Sequence, residues 1–367
     1  MNILKDVLSI PTAPFHEGLV AKYVKNTCKG LGLKIRSDGS GNLFVRYKKG
    51  RGKQPVILTS HMDHPGFEII KGGDKKCTVG ILGGVNLDFF AGARVAINSA
   101  RGIIKGVVAK KPLKKKWMGK PTFEINCHPR ASGDLVSSLD SRLRGDDRVR
   151  KGFFGWYDLP GYMKKKGLII TKAADNVASV AALLQLLTTL KKRCASADVT
   201  CVFTRAEEVG FVGCTALEKE KIFPKNVPII VIECSSASGG KVEIGGGPVI
   251  RVGDKMSCYT PEVDLWLRSL SKKLKVQRAL LAGGTCEASV WMLKGYRTGG
   301  LAFPLGNYHN NAEKTYGPEF ISLKDYKTMQ KLLITMALSK KGSSHIRANL
   351  APVMKNYRLW GPKLNSR

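Results

Sequence analysis

Acidic residues are scarce in this sequence of 367 residues, where 28 Asp and Glu stand against 61 Lys and Arg, a formal net charge of +33. No uncharged apolar run approaches the roughly 20 residues of a membrane span, and the N-terminus lacks a signal-peptide pattern. The nine cysteines include no Cys-x-x-Cys pair, which argues against a disulfide framework. We therefore expect a soluble, cytoplasmic protein without disulfides.

The excess of basic residues raises the question of a nucleic acid partner, because Lys and Arg neutralise phosphates and release counterions. The segment 101–120 contains eight Lys or Arg and no acid, and no acidic residue follows Asp325. No RNA-binding aromatic stretch, zinc finger or repeat accompanies this charge. A general basic bias is therefore the favoured interpretation, and a dedicated site for nucleic acid or another polyanion is the alternative.

Short apolar runs alternate with helical patterns along much of the chain. The runs predict strands at residues 56–60, 168–171, 199–204, 227–232 and 300–303. Apolar residues at helical spacing predict helices at residues 176–191 and 323–338. Strands separated by helices indicate an α/β fold with a mixed, largely parallel sheet and helices on both faces.

Residues 71–166 differ from the rest of the chain, because they consist of short β segments punctuated by Gly and show no convincing amphipathic helix. This pattern predicts a small β-rich domain inserted into the α/β domain. The catalytic α/β domain then comprises residues 1–70 and 167–340, and residues 341–367 form a basic C-terminal extension.

Candidate metal ligands follow each predicted strand. They are His61 and Asp63, Asp175 at the N-cap of the next helix, Glu207 and Glu208, Glu233, and His309. Because ligands of an open α/β sheet bind beyond the carboxyl ends of its strands, we expect these side chains to converge. Imidazole and carboxylate groups bind divalent metals such as zinc, and a shared carboxylate can hold two ions about 3.5–4 Å apart.

Each of these residues also has a simpler interpretation when it is taken alone. An isolated His-x-Asp is usually a surface pair, Asp175 could be only a helix cap, and adjacent glutamates are typical of a solvated helix start. His64 could be a ligand or a substrate contact, although a structural role is favoured. A metal site is favoured because acids are scarce in this chain and yet one or two of them follow each of several separate apolar strands.

Eight stretches carry a resemblance to a known family and follow its order along the chain: SIPT, DGSGNL, HMDHPGF, TKAADNVASVAALLQLL, FTRAEEVGFVG, VIECSSA, GGTCEAS and LGNYHN. The order of His, Asp and Glu is similar to that of the cocatalytic metallopeptidases. In detail the chain resembles the tetrahedral-aminopeptidase branch, which includes deblocking, glutamyl and lysyl aminopeptidases. The resemblance implies a hydrolase that removes N-terminal residues from peptides.

The resemblance also implies a role for each candidate residue. One metal ion would be held by His61, Asp175 and Glu233, and a second by Asp175, Glu208 and His309, with Asp175 bridging. Glu207 would be the general base, and Asp63 would orient His61. The expected cofactor is a pair of divalent ions, with zinc expected and cobalt or manganese as alternatives. The inserted domain matches the family's oligomerisation domain, which implies a homo-oligomer.

Three departures from the family pattern concern substrate preference. Asn176 and Val177 follow Asp175 where the family commonly has Asp and Arg, and Glu233 replaces the commoner Asp. In Gly-Thr-Cys-Glu-Ala a substrate-facing acid is either shifted to Glu287 or lost. Two other functions stay open: a related deacylase or carboxypeptidase on the same metal core, and a polyanion-binding protein that uses the peptidase fold as a scaffold.

Overall fold

The computed structural model describes residues 2–50, 54–73, 75–100, 102–128, 149–342, 351–360 and 362–363. Of the predicted C-terminal extension, residues 343–350, 361 and 364–367 lie outside the described part of the chain. Within the described residues, no helix is both long enough and apolar enough to cross a membrane.

The strands are, in chain order, β1 (Ile35–Ser37), β2 (Leu43–Lys49), β3 (Val56–His61), β4 (Gly66–Lys71), β5 (Lys76–Leu82), β6 (Arg94–Ser99), β7 (Gly102–Val108), β8 (Leu113–Trp117), β9 (Lys120–His128), β10 (Phe154–Tyr157), β11 (Met163–Lys165), β12 (Leu168–Thr171), β13 (Ala197–Thr204), β14 (Ile229–Ser236), β15 (Val249–Asp254), β16 (Gln277–Leu281), β17 (Thr298–Leu305) and β18 (Glu319–Ser322). The helices are α1 (Ile3–Ser9), α2 (Gly18–Gly30), α3 (Leu87–Phe90), α4 (Val177–Lys192), α5 (Val212–Lys219), α6 (Pro261–Leu270), α7 (Glu287–Leu293), α8 (Leu323–Leu338) and α9 (Ala351–Trp360). A 3-10 turn covers Tyr308–Asn310.

The larger sheet has eight strands in the order β1-β2-β13-β3-β14-β17-β15-β16. Its centre, from β13 through β3 and β14 to β17, is parallel, whereas β1, β2 and β15 pair antiparallel with neighbours. Every residue of β3 and β17 is buried, as expected of parallel strands covered on both faces. The predicted mixed, largely parallel sheet is confirmed.

Helices cover both faces of this sheet, as predicted. One core cluster joins it to α1, α2, α4, α6 and α8, and another joins it to α5 and α7. Helix α4 is apolar nearly all round, because Ala, Val and Leu dominate its sequence, and it lies deep in the first cluster. The predicted helices at 176–191 and 323–338 correspond to α4 and α8 within one residue at each end.

The prediction that residues 168–171 belong to the parallel sheet is wrong, although they do form a strand. Strand β12 lies between β11 and β18 in a separate antiparallel sheet of three strands. Its residues alternate between intermediate and full burial, which is typical of a short strand with one covered face. The prediction for 227–232 is displaced, because β14 runs on through Glu233 to Ser236.

The second large sheet is an antiparallel barrel built from segments between Gly66 and Tyr157. Six strands close in the order β5-β4-β10-β6-β7-β9 through a pairing of β9 with β5, and β8 is added to β9. Aromatic side chains fill its core, where the rings of Phe67 and Phe123 both contact that of Phe90. The single-turn helix α3 is the only helix in the described part of 71–166, so the predicted β-rich character is confirmed.

Candidate metal centre and active site

The acids and histidines selected from the sequence converge beyond the carboxyl ends of the parallel strands. His61 Nε2 lies 3.7 Å from Asp175 Oδ1 and 3.5 Å from Glu233 Oε1. On the other side of Asp175, His309 Nε2 lies 3.7 Å from Oδ2 and 3.2 Å from Glu208 Oε2. His61, Asp175 and Glu233 form one group of potential ligands, and Asp175, Glu208 and His309 form another. Within each group the ligand atoms lie within 4.8 Å of one another, and Asp175 belongs to both groups.

Different elements carry these side chains to one place. His61 is the last residue of β3, and Glu233 lies inside β14, the next strand of the sheet. Glu208 follows β13 in a tight turn, and His309 lies in the 3-10 turn after β17 with a left-handed φ of 55°. Asp175 lies between β12 and α4.

Glu207 lies beside His61 and Glu208, which belong to the two different groups of potential ligands, and could act on a bound water or substrate. Its Oε2 is 3.8 Å from His61 Nε2, and together with Glu208 these residues form a third group of potential ligands. The side chain is nearly buried, and burial raises its pKa well above the ordinary glutamate value. A carboxyl group with a raised pKa, at the wall of a cavity, is suited to accept and return a proton near neutral pH.

Asp63 holds three of these residues in position. Its two carboxylate oxygens accept hydrogen bonds from the backbone N–H groups of Glu207, at 3.1 Å, and Glu208, at 3.0 Å. Oδ1 also lies 3.4 Å from His61 Nδ1, and the Asp63 side chain is fully buried. A fixed carboxylate behind a histidine is what sets the orientation of a ligating imidazole.

Glu319 does the same for the opposite side of the site, and the sequence analysis did not identify it. Its Oε2 accepts hydrogen bonds from the backbone N–H groups of Ala174, at 2.6 Å, and Asp175, at 2.9 Å. Its Oε1 accepts the N–H of His309 at 2.8 Å. Because all three bonds are to the backbone, no pattern of side-chain types in the sequence indicates them.

The electrostatics of the cluster favour a bound cation. Burial raises the pKa of Asp175 far above its usual range, and the carboxylates of Glu233 and Glu208 raise it further. Burial alone would lower the pKa of His309, but Glu208 and Asp175 raise it to about 9. Several buried carboxylates this close repel one another unless a proton or a metal ion lies between them.

Buried polar atoms without a hydrogen-bond partner mark the places where ions would fit. They include Asp175 Oδ1, Glu233 Oε1 and His309 Nε2, which face other members of the cluster, and Glu208 Oε1. Buried polar atoms are normally hydrogen-bonded, so unpaired atoms of this kind fit a site that binds metal ions. The donor set of imidazole and carboxylate is one that zinc, cobalt or manganese accepts.

A cavity of about 420 Å³ opens beside His61, Asp175, Glu207 and Glu233. Its far wall carries Arg251, whose side chain is 3% exposed. The guanidinium donates to Ser235 Oγ and to the Cys234 carbonyl, while Nη1 has no hydrogen-bond partner. A buried cation with a free donor in a cavity next to the cluster is suited to a carboxylate of a bound molecule.

One expectation about an individual residue is wrong: Asp175 is not the N-cap of α4, because Asn176 occupies that position and makes no side-chain capping bond. Of the two alternatives for the acid in Gly-Thr-Cys-Glu-Ala, loss is the one that the structure favours, because the Glu287 side chain is fully buried and Cys286 lines the cavity instead. Burial raises the pKa of Glu287 to about 8.

His64 is buried beside the cluster but contacts the structure around it. Nδ1 is bonded to the backbone carbonyl of Asp175, and Nε2 lies 3.0 Å from Asn310 Oδ1. The ring is absent from the potential ligand groups found among the described residues. This geometry agrees with the favoured structural interpretation.

Comparison with known proteins identifies the family. The family model for M42 glutamyl aminopeptidases matches residues 41–332. A protein of Acetivibrio thermocellus, named as a candidate aminopeptidase, is 26% identical over 349 residues, which cover 91% of this chain and 97% of the relative.

Solved structures at lower identity share the fold. An aminopeptidase of Desulfurococcus kamchatkensis superimposes with a TM-score of 0.74 at 23% identity, covering 93% of this chain and 95% of that one. The TET1 peptidase of Pyrococcus horikoshii, which assembles into a tetrahedron or a large octahedral shell, has a TM-score of 0.73 at 22% identity, covering 92% and 98%. With the family match across most of its length, the chain belongs to the M42 glutamyl aminopeptidase family and is a peptide hydrolase.

Proposed function

We propose that this protein is an aminopeptidase that works through two divalent metal ions and a glutamate general base. The observation that carries the proposal is that Asp175 is shared by two groups of ligand atoms, one with His61 and Glu233 and one with Glu208 and His309. A shared carboxylate is the arrangement that two closely spaced ions need. The unpaired buried oxygens of the same residues support the fit.

The chemistry divides between the ions and the side chains. When bound, a pair of divalent ions polarises the scissile carbonyl and lowers the pKa of the attacking water. Glu207, which lies beside His61 at the wall of the cavity, accepts a proton from that water and donates it to the leaving amine. Asp63 keeps the backbone of Glu207 in place, so the carboxylate stays aimed at the cavity.

Arg251 supports a preference for substrates whose N-terminal residue is acidic. Arg251 and Lys241 both line the cavity beside the cluster, and the acidic residues that line it are those of the cluster itself. A carboxylate in this cavity would form a charge-assisted bond with the guanidinium. The family name and the named relative support an aminopeptidase over the deacylase and carboxypeptidase alternatives.

The experiment is a comparison of Glu207→Gln with Glu220→Gln, a control at an exposed glutamate at the end of α5 that does not line the cavity. We expect Glu207→Gln to bind metal normally but to lose cleavage of aminoacyl anilides by at least about 10²-fold, the range of a lost general base. Peptides with free and blocked N-termini are compared in parallel. Wild-type activity in Glu207→Gln contradicts the general base, and preferred cleavage of blocked peptides contradicts the aminopeptidase.

We also propose that the protein forms a homo-oligomer through the β4–β10 barrel. The assembly described for the Pyrococcus horikoshii peptidase supports this, since that protein shares the fold over 92% of this chain. Light scattering of the purified protein measures the mass directly. A monomeric mass at micromolar concentration would refute the proposal.

A further inference from the structure

A second and larger cavity lies along the β1–β2 edge of the eight-stranded sheet. It has a volume of about 1150 Å³ and is lined by Phe44 of β2, by Val56 and Ile57 at the start of β3, and by Asp198 near the start of β13. Val56 and His61 are the two ends of β3, five steps of about 3.3 Å apart, so this part of the cavity lies roughly 17 Å from His61. We refer to this cavity as the edge groove.

Most of the charged side chains that line the edge groove are basic. Six Lys or Arg line it against three acids, Asp38, Asp198 and Glu220. Two of those acids are engaged within the protein: Asp198 is paired with Arg46 at 2.8 and 2.9 Å, and Asp38 accepts the amide N–H groups of a turn. The remaining lysines and arginines therefore face the groove with little opposing charge.

The sheet arranges several of these side chains in one row. One face of β2 carries every second side chain, namely Phe44, Arg46 and Lys48. Arg36 of β1 is paired with Phe44 and lies on the same face. Lys34, two residues before Arg36, lies on the same side. The side chains of Lys34, Arg36, Arg46 and Lys48 are exposed.

Aromatic rings lie among these cations. Phe44 and Phe223 both line the groove, are only partly buried, and meet edge-on with ring centroids 6.1 Å apart. Ile222 beside them is 47% exposed. Both rings also pack against the core cluster at α5 and α7, so each exposes only part of its surface. A groove that combines cations with accessible aromatic surface can bind single-stranded nucleic acids, in which phosphates contact Lys and Arg and bases stack.

We propose that the edge groove binds single-stranded nucleic acid, independently of peptide hydrolysis at the metal cluster. An acidic polypeptide would use the same cations but has no bases to stack on Phe44 and Phe223. The aromatic rings therefore favour nucleic acid over a polyanion without bases.

The test uses fluorescence anisotropy with oligothymidylate and oligouridylate of about 15 nucleotides, near the upper end of the sites of single-strand binding modules. One variant neutralises the row through Lys34→Gln, Arg36→Gln and Lys48→Gln. Its matched control, Lys272→Gln, Lys273→Gln and Lys331→Gln, removes the same charge from exposed positions outside both the edge groove and the barrel. Both retain Arg46, because its partner Asp198 is buried.

We expect the groove variant to bind oligonucleotides at least tenfold more weakly than the control. The slope of log affinity against log salt should also become shallower by about 2, because each of the three lost phosphate contacts contributes about 0.7 to it. Phe223→Leu should weaken oligonucleotide binding about tenfold but leave polyglutamate binding unchanged. Binding should persist after metal removal, and all variants should retain peptidase activity.

Three outcomes overturn the proposal. Equal loss in the groove variant and its control assigns binding to overall charge, and no binding by the wild-type protein at moderate salt removes the site. Tighter binding of polyglutamate than of oligonucleotides, unaffected by Phe223→Leu, assigns the groove to acidic polypeptides. None of these results depends on peptidase activity, so the proposed function stands or fails separately.

Discussion

Replacement of Glu319 by Gln tests whether this residue holds the two sides of the metal cluster together. The buried carboxylate accepts three backbone N–H groups, two on one oxygen and one on the other. Gln has a single carbonyl oxygen, so its amide N–H₂ must face either the N–H groups of Ala174 and Asp175 or that of His309. At least one charged hydrogen bond is lost and one donor is left facing another donor.

Hydrogen bonds to charged groups contribute about 1.5–3 kcal/mol each, so we expect the free energy of unfolding to fall by about 2–3 kcal/mol. Because Asp175 and His309 lose their support, we also expect metal affinity to fall by about 10–100-fold. Calorimetric metal titration of metal-free protein, together with urea unfolding, measures both effects. The control is Glu313→Gln, at an exposed position in the same loop region.

The two measurements separate the interpretations of Glu319. A loss of stability with unchanged metal affinity would mean that Glu319 supports the fold but does not position the cluster. Wild-type values for both quantities would refute the reasoning entirely, since three buried hydrogen bonds would then contribute nothing measurable.

Three further predictions concern lysine and arginine side chains. Lys120 Nζ donates to the Gly83 carbonyl at 2.7 Å, so Lys120→Met should lower the free energy of unfolding by about 1 kcal/mol in a urea titration where Lys114→Met has no effect. Arg251→Met should lower the preference for N-terminal Glu, measured as kcat/KM for substrates with N-terminal Glu divided by kcat/KM for those with N-terminal Leu, about tenfold. An unchanged preference contradicts a role of Arg251 in substrate recognition. Burial lowers the pKa of Lys172 to about 7, so the unfolded chain binds its proton more tightly. Between pH about 7 and about 10 this lysine should therefore add up to about 1.4 kcal/mol per pH unit to the slope of unfolding free energy against pH, and Lys172→Met should lower the slope by that amount in denaturant titrations.

Helices with strong apolar periodicity were predictable, and so were strands made of continuous apolar runs. Helices α4 and α8 and strand β3 carry these signals over their whole lengths. Helices α1 and α2 escaped prediction, since α1 has seven residues and α2 begins with Gly. The sheet to which β12 belongs was also unpredictable, because strand pairing depends on residues far away in sequence.

The sequence predicted those residues of the candidate site whose type alone suggests metal binding or proton transfer. Scarce acids after apolar strands selected His61, Asp63 and Glu207, which the fold does bring together. Support through the backbone was not accessible. Glu319 contacts amide groups that any residue would offer, and Arg251 is singled out only by burial and an unpaired nitrogen atom.

The alternation of strands and helices, the β-rich stretch between them and the residue types that could bind metal can all be read from local sequence patterns. These patterns of apolar and ionisable side chains act over a few residues. Long-range packing is what brings Asp175 between two histidines, places Glu319 where it supports both, and gathers cations and aromatic rings at the edge groove. Those arrangements depend on strand order and register, which long-range packing sets.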